Sequence, residues 1–382
     1  MLTEALGIKV TKLNLQSALS QYVQLRCNQQ LLPCCLVDWG EAPEVEQFYG
    51  RQMQLDTLNQ WVRSDRCRLI AIVGMGGIGK TRLATYFAKL IAEQFELVVW
   101  RSLRQAPPLI DFLTELMQVM APDKQLPTRL DAMMLTLIKH LRHHRCLLVL
   151  DNIEAVLSSG ELVGTYRPGY EDFGWLFQEL VQAHHQSTIL LTSREIPTEV
   201  AIGQGANVPI RLLRLERLSI ESGETILRAK GLTFQGEQPQ VRQLIERYQG
   251  NPLALEIVAY PIRELFDSNI AAFLAQDTLL FKDIRSLLTS QFNRLSSLEV
   301  QVMYWLAINR EPVTAAQLQT DLLPSIYEVE LRDALFSLDR RSLIEKIKPT
   351  EGKATTLIRL DDVSYTQQPV VMEYVIQQLI EK

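Results

Sequence analysis

Gly74-Met75-Gly76-Gly77-Ile78-Gly79-Lys80-Thr81 follows the apolar run RLIAIV (68–73) and opens the amphipathic run TRLATYFAKLIAEQF (81–95). Strand, then G-x-x-x-x-G-K-[ST], then helix is the context in which this pattern cradles a phosphate. The glycines let successive backbone N–H groups turn inward around an anion, and the helix N-terminus adds to that field. Lys80 is placed to reach the β- and γ-phosphates, and Thr81 to offer a hydroxyl to Mg2+. The expected ligand is ATP or ADP with Mg2+. The expected loop contacts are Gly74, Gly76, Gly77, Ile78, Gly79, Lys80, Thr81 and Arg82.

Such a loop needs a carboxylate at the end of a second strand to orient the metal. CLLVLD (146–151) supplies Asp151, so Thr81 and Asp151 are the expected metal residues. The next residue, Asn152, positions a water but cannot take its proton at neutral pH. Glu154 is the nearest other base, with a surface or helix N-terminal role as the alternative. The run STILLTSRE (187–195) ends on Arg194, placed either to report a γ-phosphate or to pair on the surface with Glu195. Lys80, Asp151, Asn152 and Arg194 are the expected catalytic set.

LVVW (97–100) reads as a further strand, and apolar periodicity places helices near 53–62, 109–120, 128–143 and 173–185. Near-continuous apolar strands alternating with helices predict a parallel sheet covered on both faces. The strands are expected to stop near Val208. Residues 219–284 then read as helices broken at Gly231, Gly250–Pro252 and Pro261. After Ser286 come three helical segments, the third over 328–348, then a strand-like TTLIRLDD (355–362) and a last helix from Pro369, the pattern of a winged helix. Residues 13–32 read as one or two helices, and LLPCCLVDWGEAPEVEQ (31–47) as a linker. The fold class is therefore α/β: a short N-terminal segment (1–45), a P-loop nucleotide-binding domain with a parallel sheet (46–208), a helical domain (209–285) and a winged-helix domain (286–382).

Composition narrows the partners. The net charge of −5 gives no whole-chain attraction to nucleic acid or to an anionic membrane. From 286 to 382, ten Lys and Arg face thirteen Asp and Glu, whereas a DNA reader carries a basic stripe. There is no signal peptide and no apolar run of membrane-spanning length, so a cytoplasmic protein is expected. The five cysteines form no C-x-x-C pair and read as free thiols. His140, His143, His144, His184 and His185 read as solvated helix faces rather than metal ligands.

FYGRQMQLDTL, GMGGIGKTRLA, LLVLDNIE, LLTSRE and GNPLALEIVA occur in this order. Together they resemble the NB-ARC-type STAND ATPases, above all the NB-ARC modules of cyanobacterial proteins that carry WD40 repeats. The resemblance runs from Phe48 to Lys382. It implies that Tyr49, Arg51 and Pro252 contact the adenine and that a winged helix closes over ADP. In many relatives a second acid follows the metal carboxylate, where this chain has Asn152. In many, a late Met-His-Asp motif touches the ADP β-phosphate. Aligning QQPVVMEYV with it puts Gln368 at the histidine and Pro369 at the aspartate. The implied function is a signalling switch, ADP-closed and ATP-open, with slow hydrolysis and a homo-oligomer in the ATP state. A DNA-binding regulator and a steady-turnover ATPase are the alternatives. The family's usual sensor and effector are not evident, so a minimal switch served by separate partners, or a remnant of a longer gene, is expected.

Overall fold

The computed structural model describes residues 35–45, 48–122, 125–203, 205, 208–234, 239–276, 282–322, 326–347 and 363–381. β1 (Leu36–Asp38), β2 (Leu69–Val73), β3 (Leu97–Ser102), β4 (Cys146–Asp151), β5 (Thr188–Ser193) and β6 (Ile210–Arg214) form one sheet in the order β1-β3-β4-β5-β2-β6. All its pairings are parallel. Helices α1 (Gln52–Arg63) and α2 (Lys80–Ile91) cover one face, and α3 (Leu109–Met120), α4 (Leu130–His143) and α5 (Asp172–Gln182) the other. The period-2 alternation of a strand divides β2 between them. Leu69, Ala71 and Val73 pack toward α3–α5, while Ile70 and Ile72 turn to α1 and α2.

Two expectations fail at the sheet edges. Leu36–Asp38 is not linker but a strand paired with Leu97–Val99, and Arg101 donates to Asp38 at 2.6 Å. Three residues are too few to display an alternating pattern. The strands also do not stop at Val208, because β6 pairs with β2 from Ile210↔Leu69 to Arg214↔Val73. As an edge strand it is only half covered and carries two arginines, so no apolar run betrays it. The expected boundary at 208 therefore falls one strand short. The helix expected at 13–32 lies outside the described residues.

Short α6 (Thr198–Ile202) precedes β6. Beyond it, α7 (Ile220–Ala229), α8 (Pro239–Arg247), α9 (Pro252–Phe266), α10 (Ile270–Leu274) and α11 (Lys282–Phe292) are helical as expected, except that α9 runs on through Pro261, where a break was expected. Then follow α12 (Ser297–Asn309), β7 (Val313–Thr314), α13 (Ala315–Asp321), α14 (Glu328–Arg340), β8 (Glu345–Ile347), β9 (Ser364–Thr366) and α15 (Pro369–Ile380). The three short strands form an antiparallel sheet in the order β7-β9-β8. The helix expected over 328–348 stops at Arg340, since Ser342 takes a left-handed φ of 57° and the chain turns into β8. The strand expected at 355–362 lies outside the described residues. One apolar core runs from α7 to α15, and Met75 of the phosphate loop packs on it.

Candidate functional site

The turn from β2 into α2 wraps a loop that only glycine permits at two points. Gly77 and Gly79 hold φ of 78° and 99°. A Cβ at Gly77 would stand 2.9 Å from both Asn251 Oδ1 and Leu253 Cβ. Lys80, the first residue of α2, is buried, and its ammonium donates to the carbonyls of Gly74 (2.8 Å) and Met75 (3.0 Å). Burial pushes its pKa down to about 8, with Glu154 and Asp151 opposing that shift. An arriving phosphate would favour the charged form again.

β5 lies between β2 and β4 in the sheet, so its C-terminal end faces both the loop and Asp151. Asp151 is buried and accepts from Thr81 Oγ1 at 2.8 Å, from the Thr192 hydroxyl, and from Asn152 Nδ2 at 2.8 Å. Burial raises its pKa, and the two hydroxyl bonds pull it back. Asn152 takes a left-handed φ of 63°, and its N–H donates to Thr192 Oγ1 at 3.1 Å. Arg194 does not pair with Glu195. Its Nε lies 3.2 Å from Glu154 Oε1, its N–H donates to Glu154 Oε2, and its guanidinium donates to Ser290 Oγ at 2.9 Å.

These groups converge on a cavity of about 280 Å3 lined by Gly76, Gly77, Gly79, Lys80, Thr81, Arg82, Asn152, Glu154, Arg194 and Pro252. Beside it a crevice of about 30 Å3 brings together Tyr49, Arg51, Ile78 and Pro252, sharing Gly79 and Arg82 with the larger cavity. It is too narrow for a purine, so a base entering there has to displace a wall. Arg51 donates to the Ile78 carbonyl at 3.3 Å, and Arg82 pairs with Glu256 of α9 at 2.7 Å. Gln368 is not among these residues. It lines a different cavity, about 370 Å3, with Met75, Ile78 and Asn251, and its amide lies 3.4 Å from Glu345 Oε1.

Sequence reasoning missed the residues that clamp the loop from outside. Asn251 caps α9 by accepting from the Ala254 N–H, while its Nδ2 donates to the Gly76 carbonyl at 3.0 Å. Asn before Pro at a helix start was the available signal. Gln291 of α11 is buried with Nε2 beside Gly76, and its Oε1 has no partner among the described residues. Nothing local in the sequence announced it. Asn251→Ala removes a cap and strands a buried carbonyl, so it should cost about 2 kcal/mol in chemical denaturation. An unchanged midpoint would remove Asn251 from that role.

The histidines hold no metal cluster among the described residues. His185, expected on a solvated face, is buried instead, its Nε2 bonded to the Leu180 carbonyl at 2.7 Å. Cys67 and Cys146 are free thiols as expected, the Cys35 thiol donates to the Ala92 carbonyl at 3.1 Å, and Cys27 and Cys34 lie outside the described residues. No helix among the described residues is long and apolar enough to cross a membrane.

Comparison with known proteins places this site in a class. The NB-ARC domain family matches residues 51–233. An uncharacterized WD repeat-containing protein of Nostoc sp. is 46% identical over 358 residues, covering 90% of this chain. The chain spans only 27% of the length of that curated relative. Among solved structures, a Walker-type ATPase of Pyrococcus abyssi covers 89% of this chain and 99% of its own at a TM-score of 0.59 and 14% identity, a likeness of fold. A STAND protein with a tetratricopeptide repeat sensor from Pyrococcus horikoshii covers 88% of this chain and 44% of its own at a TM-score of 0.45 and 18% identity. The chain carries an NB-ARC domain, as its ordered motifs implied, on an α/β P-loop fold.

Proposed function

We propose that this chain is a nucleotide-controlled switch of the STAND class, closed with ADP and open with ATP. Lys80 and the loop N–H groups hold the phosphates, and Tyr49, Arg51 and Pro252 flank the base. Thr81 lines the cavity and donates at 2.8 Å to the buried Asp151, and these two oxygens fit the protein share of a Mg2+ site. Mg2+ bound there would neutralise phosphate charge. Asn152 orients a water without deprotonating it, and Glu154 is held by Arg194, so hydrolysis is slow. The units over 209–285 and 286–382 are a helical domain and a winged helix that move when the nucleotide changes. A homo-oligomer in the ATP state and separate sensor or effector proteins complete this reading.

The observation that carries it is where Arg194 stands. Its guanidinium lines the phosphate cavity while gripping Glu154 on one side and Ser290 of α11 on the other. A γ-phosphate would compete for that guanidinium with charge-assisted bonds and release α11. Arg194→Ala should therefore leave ADP affinity within about twofold and remove most of the ATP-dependent change. Titrating both nucleotides while following tryptic cleavage checks this. An ATP response identical to wild type would remove Arg194 from the sensing role.

The DNA-binding reading is weaker. The most basic stretch after Ser286 is RDALFSLDRRSLIEK (332–346). Its central pair is turned inward, Arg340 to the Ile196 carbonyl and Arg341 to Glu195 and Glu299. Those charges are spent on the protein itself.

A further inference from the structure

A cavity lies at the edge of the sheet opposite the phosphate loop, where β2, β4, β5 and β6 begin. It measures about 750 Å3, the size of a small-molecule site, and is lined by Arg63, Arg66, Arg68, Arg145 and Arg211 against one carboxylate, Asp65. Two of the arginines are structural. Arg68 donates to the carbonyls of Val181 (2.8 Å) and Ala183 (3.0 Å) at the end of α5, and Arg211 donates to the Val208 carbonyl (2.7 Å) and lies 3.5 Å from Asp65. The other three have no carboxylate within ion-pairing distance among the described residues. Arg63 donates to Gln94, and Arg145 lies over the Phe95 ring at 5.0 Å. Arg66 makes no such contact among the described residues, and its backbone is held at a left-handed φ of 47°. Five cations around one concave space repel one another, and an anion bound between them relieves that repulsion. The charge is confined to a cavity rather than spread along a stripe, which favours a compact ligand over a nucleic acid backbone.

We propose that this cavity binds a small molecule carrying adjacent phosphate groups, with Arg63, Arg66 and Arg145 as its contacts and Arg68 and Arg211 fixing its walls. It is distinct from the phosphate loop and does not depend on the switch reading. Planar guanidinium forks suit phosphate oxygens, and three of them suit a diphosphate better than a single phosphate.

The test is isothermal titration of inorganic pyrophosphate, and separately of ADP, into Lys80→Ala and into Lys80→Ala that also carries Arg66→Glu and Arg145→Glu, so that the phosphate loop contributes to neither. Circular dichroism checks that each is folded. Pyrophosphate should bind Lys80→Ala, bind at least about tenfold more weakly once the two arginines are reversed in that background, and weaken as salt rises. If ADP binds Lys80→Ala more tightly than pyrophosphate does, the source is a nucleotide; if equally, the phosphate pair alone is read. Absence of pyrophosphate binding to Lys80→Ala at 10 mM, about the weakest useful affinity, would overturn the proposal. So would binding that survives the charge reversals. Arg66→Ala with Arg145→Ala, which adds no carboxylate, guards against a folding defect and should lose affinity in the same direction.

Discussion

Lys80→Ala is expected to abolish nucleotide binding at the phosphate loop while leaving the protein folded. Lys80 is the cation at the base of the cavity, and two charge-assisted bonds from it to phosphate oxygens are together worth about 3–6 kcal/mol. Their loss corresponds to a hundredfold or more in affinity. The same substitution costs the unliganded protein little. The ammonium is buried, its hydrogen bonds among the described residues are to the Gly74 and Met75 carbonyls, and burial already disfavours its charge. Calorimetric titration with ADP should therefore lose the tight isotherm of the phosphate loop, leaving at most the weaker binding of the arginine cavity, while the thermal midpoint moves by only a few degrees. Retained nanomolar ADP binding would contradict the assignment of the loop.

The second large effect is expected far from the loop. Arg341 follows α14, with its side chain only 3% exposed. It pairs with Glu195, which lies two residues past the end of β5 and neighbours Arg194, and with Glu299 of α12 at 3.1 Å. Arg294 reaches the same Glu195 oxygen at 2.5 Å. The network ties the chain just past β5 to α12 and the end of α14. Arg341→Ala leaves two buried carboxylates under-compensated, at a cost of about 3–5 kcal/mol. The site of that cost predicts its form: residues 297–381 should become open to protease and hydrogen exchange before the parallel sheet does.

The pH dependence has a definite sign. Burial raises the Glu195 pKa, and Arg341 and Arg294 oppose that rise, so removing Arg341 raises it further. A carboxyl with a raised native pKa takes up its proton more readily folded than unfolded. The deficit of the variant should be full above that raised pKa and shrink as pH falls through it. A deficit that grows on acidification would mean the network is not what is lost.

The local part of this architecture was legible in the sequence and the long-range part was not. The phosphate loop, Asp151 at the end of its strand and the helix at 109–120 rest on neighbours in the chain, whose pattern carries the signal. Tyr49, Arg51 and Pro252 came from the family resemblance, and they do meet in one crevice. The insertion of β5 between β2 and β4 has no sequence signature, yet it is what brings Arg194 over the loop. Asn251, Gln291 and Arg341 act on groups far away in sequence, and no periodicity encodes such pairs. β1 and β6 escaped because short edge strands need only one covered face. Gln368 came from aligning a motif that the chain had lost, and it faces the neighbouring cavity.

The most direct measurement is of the nucleotide the protein carries. The purified chain is denatured, the released nucleotide is identified by chromatography, and phosphate release from ATP is timed in parallel. A closed switch should yield close to one ADP per chain and turn over far more slowly than the median enzyme rate of about 10 per second. An empty site with steady turnover at that scale would contradict the switch and leave an ordinary ATPase in its place.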